Sequence, residues 1–160
     1  MGFATHLGPW LLGTVKNTTG TTAGTIRNTG ATVVAQPITL GFADINASLT
    51  GTIGAIPAGA LITNIQYITS TVFSGATTLA ISIGGQAVAA SASTITSVAT
   101  VTPTIQASFI PTQVNVGTTD ALITYTATEA ATLTTGSVTV LITYVVRDSS
   151  GNSAQPARQQ

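Results

Sequence analysis

The sequence predicts an all-β protein, an antiparallel jelly-roll sandwich with an extended N-terminal arm. Three observations predict it. Threonine supplies about one residue in five, and with Val and Ile it loads the chain with side chains branched at Cβ. Such side chains are stiff at χ1 and suit a pleated surface better than a helix. No stretch keeps a helical period of apolar residues, whereas several keep period two. The breaks fall at Gly and Pro, the residues that punctuate short strands. Roughly seven to nine strands of this kind read as an antiparallel sandwich or barrel. About eight fit residues 31–147, which is the jelly-roll number. A Greek-key sandwich of the immunoglobulin type stays open, since many such folds also lack the Cys-Trp-Cys marks missing here.

Taken in order, the chain begins with a segment unlike the rest. Leu7-Gly8-Pro9-Trp10-Leu11-Leu12 is an apolar plug, and Gly13 to Gly30 is polar and low in complexity. A structureless stretch this long is unusual inside a compact domain. Residues 1–30 therefore read as an arm, able to reach up to about 100 Å if extended. Short strands follow at Thr32 to Ala35 and Ile38 to Phe42. After the turn signals of Ile56-Pro57-Ala58-Gly59 comes a long run, Ala60 to Phe73. Strict alternation there puts Ile65 and Tyr67 on one face, and Ile62 and Ile68 on the other.

Leu79, Ile81 and Ile83 share a face in a strand stopped by Gly84-Gly85. Further strands are expected at Gln86 to Ala89, Thr94 to Val101 and Ile105 to Ile110. Pro103 and Pro111 bracket the last, as suits a residue confined to strand ends, edges and bulges. In Ala121 to Thr128, Ile123, Tyr125 and Ala127 face one way. The clearest strand opens after Gly136, with Val138, Val140, Ile142, Tyr144 and Val146 on its core face. Residues 148–160 read as a polar tail. The domain organisation is thus an arm (1–30), a sandwich (31–147) and a tail (148–160).

Composition narrows the function. Only 5% of the 160 residues are charged, and four basic residues cancel four acidic ones; an average soluble protein is roughly 25% charged. Lys16, Arg27, Arg147 and Arg158 cannot build the basic patch that phosphate neutralisation needs, so nucleic acid is not an expected partner. There is no cysteine and a single histidine, His6, which lies in the arm. The four acids, Asp44, Asp120, Glu129 and Asp148, suggest no catalytic pair by spacing, and no phosphate loop or nucleophile elbow occurs. No enzyme and no cofactor is expected. The N-terminus lacks a secretory pattern, and no apolar run approaches the ~20 residues of a membrane span. The reading is of a chain made in a cytoplasm, with no membrane partner.

Low charge also suggests that much of the surface is hidden in an assembly, because an isolated domain keeps more charge for solubility. Trp10, the only tryptophan, stands among Leu7, Leu11 and Leu12, as an aromatic anchor for another chain would. Packing of the plug on its own sandwich is the competing role. Lys16 and Arg27 are candidates to pair with acidic groups on a partner. These six are the candidate partner-binding residues.

The segment from Thr5 to Asn17 (THLGPWLLGTVKN) resembles the opening of small virion proteins of tailed bacteriophages. The stretch Ile56 to Ile65 (IPAGALITNI), followed by Leu79 to Gly84 (LAISIG), is similar to the jelly-roll core of capsid decoration, or cement, proteins. The resemblance covers residues 1–90; beyond them it is one of composition. It implies a structural protein on the outer surface of an icosahedral capsid, made in the host cytoplasm. It further implies a homotrimer that ties neighbouring capsomers of the major capsid protein together. A trimer would present three arms at once and gain affinity by multivalency. The alternative expectation is a tail-fibre or adhesin-type β module recognising a host surface glycan. Its weakness is the scarcity of aromatic platforms, with three tyrosines on faces predicted apolar. An ice-binding face, suggested by the threonine content, would need a regular repeat, and the Thr-x-Thr instances keep no fixed period.

Overall fold

The structure is a computed structural model, and it describes residues 32–75 and 77–146. The expected arm (1–30) and tail (148–160) lie outside the described residues. Between them two antiparallel sheets pack face to face. Strand β1 (Thr32–Gly41) leads into a short helix, α1 (Phe42–Ala47), and then into β2 (Thr50–Ile56). Next come β3 (Leu61–Thr71), β4 (Thr77–Ile83) and three short strands, β5 (Gln86–Ala87), β6 (Ser93–Thr94) and β7 (Ala99–Val101). A 3-10 turn at Ala107–Phe109 runs into α2 (Ile110–Val114), and β8 (Ala121–Glu129) and β9 (Ser137–Val146) close the domain.

One sheet has the order β1-β9-β3-β7, and the other β2-β8-β4-β5, with β6 also on β4. The chain is doubled back on itself. First pairs with last, β1 with β9, then β2 with β8, β3 with β7 and β4 with β5. The fold-back point is the two-residue hairpin Gly84-Gly85, with φ of +60° and +78°. Positive φ at both central residues gives the turn whose twist suits paired strands, and glycine adopts it without strain.

Alternation builds the core. Val138, Val140, Ile142 and Tyr144 of β9 are buried, as are Leu79, Ile81 and Ile83 of β4 and Ile123, Tyr125 and Ala127 of β8. Each fully buried branched side chain stabilises the fold by roughly 1.5–3 kcal/mol. The register places these rows opposite one another's strands, Ile81 beside Tyr125 and Ile83 beside Ile123.

Several expectations need correction. Ile62 does not lie opposite Ile65; both are buried, because the register of β3 on β9 shifts between Ile62 and Asn64. That bulge inserts one residue and inverts the side-chain phase. The strands expected at 32–35 and 38–42 are one strand that runs through Pro37 and stops at Gly41. Pro37 is tolerated because β1 is an edge strand. Phe42, expected in a strand, opens α1. The strand expected at 105–110 is instead a single bridge, Ala89 to Ile105, followed by the 3-10 turn and α2. Pro111 sits in the first turn of α2, where its missing N–H costs nothing. Of the strands expected at 86–89 and 94–101, only β5, β6 at its edge, and β7 form ladders. The stretch of β2, Thr50–Ile56, was not expected as a strand at all; its two glycines and the bulge between Thr52 and Gly54 hide the alternation.

Candidate functional site

The ladder register divides the sandwich into two poles. At one, Gly41, Ser137 and Thr71 stand side by side, so the connections 42–49, 72–75 and 130–136 converge there, with 95–98 beside them. At the other, Thr32 pairs with Val146, and the connections 57–60, 84–85 and 102–120 gather.

Apart from α1, the connections of the first pole are held by polar contacts. Gly41 N–H donates to Asp44 Oδ2 at 2.8 Å, satisfying a donor where α1 begins. Phe42 N–H donates to the Gly136 carbonyl at 2.9 Å. The Asn46 amide grips the backbone of Leu133 from both sides, with Nδ2 donating to its carbonyl at 2.7 Å and Oδ1 accepting its N–H at 3.0 Å. Thr134 N–H donates to Ser74 Oγ at 2.9 Å. The Tyr125 hydroxyl donates to the Ser48 carbonyl at 2.8 Å. Burial, and then the negative Asp44 nearby, raise the pKa of that hydroxyl above its ordinary value. Gly136 has φ +139°, and a Cβ there would stand 2.2 Å from the Phe73 ring. The loops of this pole are therefore preorganised.

At the second pole Asp120 Oδ1 accepts the Ala58 N–H at 2.9 Å, and Gly59 N–H donates to the Gly117 carbonyl at 2.7 Å. An open hollow lies beside them, lined by Gly84, Gly85, Val116, Thr119, Asp120 and Leu122. On the outer faces threonine hydroxyls pair across strands, Thr39 with Thr139 at 3.0 Å and Thr78 with Thr128 at 2.6 Å. They satisfy one another without charge.

The six residues expected to bind a partner, Leu7, Trp10, Leu11, Leu12, Lys16 and Arg27, lie outside the described residues. The three tyrosines are buried, Tyr67 most completely, so they form no exposed aromatic platform. Tyr67 is pushed well above the usual phenol range by burial. Asp44 and Glu129 stand at the first pole and Asp120 at the second. Among the described residues no three of His, Cys, Asp and Glu come together as a metal site, and no helix is long and apolar enough to cross a membrane. Sequence reasoning missed the first pole altogether. Its only sequence signal is negative: residues 32–146 contain Asp44, Asp120 and Glu129 but no Lys, Arg or His.

These features define a two-sheet β-sandwich whose accessible chemistry is uncharged hydroxyls, carboxylates and preorganised apolar loops. No protein-family model, curated protein or solved structure matches the chain.

Proposed function

We propose that the sandwich is a jelly roll and that the protein is a structural phage virion protein, not an enzyme. In this reading it binds the outer surface of the capsid as a trimer and cements neighbouring capsomers of the major capsid protein. The observation that carries the jelly-roll reading is the strand order. Pairing first with last around one central hairpin, with the two sheets β1-β9-β3-β7 and β2-β8-β4-β5, is what rolling a doubled ribbon produces. Viral capsid domains and lectins share that architecture, so the fold alone does not choose between them. The resemblance of residues 5–17 to phage virion proteins, and of residues 56–65 and 79–84 to decoration proteins, favours the capsid. The burial of all three tyrosines counts against a glycan-binding module.

The arm is the proposed tether, with Trp10 and its leucine neighbours as anchor and Lys16 and Arg27 as pairing charges. Light scattering on the full chain should give a mass near three times 16.0 kDa, and the protein should sediment with phage heads that lack it. Trp10→Ala should weaken that binding about tenfold or more while leaving the unfolding midpoint unchanged. A monomer without affinity for heads overturns the proposal. Loss of folding in Trp10→Ala would place Trp10 in a core instead of an interface.

A further inference from the structure

Eight large apolar side chains are exposed among the described residues, and four of them, Phe42, Leu49, Val72 and Val98, belong to the first pole. Val98 is the most open, at 67%. Phe42 begins α1 against Gly136, and Leu49 offers its carbonyl to the Ala127 N–H. Val72 follows the end of β3, and Val98 precedes Ala99, the partner of Thr69. The loops carrying Phe42, Leu49 and Val72 are fixed by the contacts described above, so docking there would order little that is not already ordered.

Among the described residues the same pole holds two carboxylates, Asp44 and Glu129, and no base. Glu129 ends β8 in the inward phase of Ile123, Tyr125 and Ala127, which directs it toward the mouth of the sandwich. Its Oε2 is buried and accepts no hydrogen bond among the described residues. A carboxylate with one oxygen buried and without a donor is costly. Because Glu129 as a whole is only half-buried, a cation brought to its carboxylate group by a partner lowers that cost.

We propose that this pole is a protein-docking surface. Its partner is a capsid-shell surface that presents an Arg or Lys ringed by apolar side chains. The cation pairs with Glu129 while the apolar ring packs on Phe42, Leu49, Val72 and Val98. This rests on the capsid reading above and adds to it a second contact, at the pole opposite Thr32 and Val146. A second copy of the sandwich does not fit as occupant. With three carboxylates and no base in residues 32–146, it would set carboxylate against carboxylate.

The test uses the full chain and phage heads lacking it, titrated by co-sedimentation at low and high salt. Glu129→Gln should bind about fivefold more weakly and lose part of the salt dependence. Val72→Ser with Val98→Ser should bind about tenfold more weakly. Ile110→Ser with Val114→Ser, in α2 on the connection at the other pole, should change binding less than about twofold. Circular dichroism checks that each variant folds; should the double valine variant fail, Glu129→Gln with the α2 control carries the test. If wild type binds heads and the pole variants bind equally well, the docking proposal falls and the capsid reading stands. If wild type binds no heads, the capsid reading falls and takes this partner with it. If the pole variants change the oligomeric mass instead of head binding, the pole is a self-interface and the proposal is overturned.

Discussion

Gly136 shows how one residue can hold a pole in shape. It combines φ of +139° with a Phe73 ring where a Cβ would stand, and its carbonyl receives the Phe42 N–H. Gly136→Ala therefore meets backbone strain and overpacking together, and should cost about 2–4 kcal/mol. Urea unfolding should show this as a lower midpoint at unchanged slope. Tyr67 makes a different prediction. Its folded-state pKa is raised, so both folded and unfolded chains keep the phenol protonated below about pH 10. Above that pH the unfolded chain ionises first and binds fewer protons than the folded one. Stability contributed by Tyr67 should thus be whole at neutral pH and fall above about pH 10, by up to about 1.4 kcal/mol per pH unit. Ultraviolet titration should show the Tyr67 phenolate appearing only as the chain unfolds. Reversible ionisation of all three tyrosines near pH 10 in the folded protein would contradict the burial of Tyr67.

Strand β3 tests the bulge. With one extra residue at Thr63, Ile62 joins Ile65 and Tyr67 in the core while Ile68 stays on the half-exposed face. Ile62→Ala should cost about 2–5 kcal/mol, and Ile68→Ala markedly less, about 1 kcal/mol. Equal costs would mean that β3 keeps strict alternation. This strand also shows where sequence reading stops. Period two exposed the core faces of β4, β8 and β9 because each strand is regular and long enough for the pattern to repeat. A bulge leaves no mark in composition, so the face of Ile62 was misread. Helix α1 has six residues and one buried side chain, Ile45, too few for a helical period to be seen. At 105–110, apolar side chains between prolines read as a strand, although Pro111 is equally suited to start a helix. In β1 the two strands expected at 32–35 and 38–42 left out Gln36 and Pro37, whereas an edge strand can carry a proline.

Along the sequence of the whole molecule, the charges are segregated. Three of the four acids fall within residues 32–146, while Asp148 and all four basic residues fall outside that span. A net charge of zero hides this, which is why composition gave no hint of the acidic, apolar pole proposed to dock. The pole was also illegible because its members are far apart in sequence, from Phe42 to Gly136, and only the ladder register brings them together. The expected anchor around Trp10, by contrast, was visible as a local cluster. The pairing of Thr32 with Val146 has a mechanical consequence. Tension applied between those two residues opens the β1–β9 ladder from one end, breaking its hydrogen bonds one after another like a zipper. Tension between Thr32 and the opposite pole runs along the strands and loads many bonds simultaneously. The sandwich is thus soft when its two chain ends are pulled apart and stiff along its length, so a load carried from pole to pole falls along its strong axis.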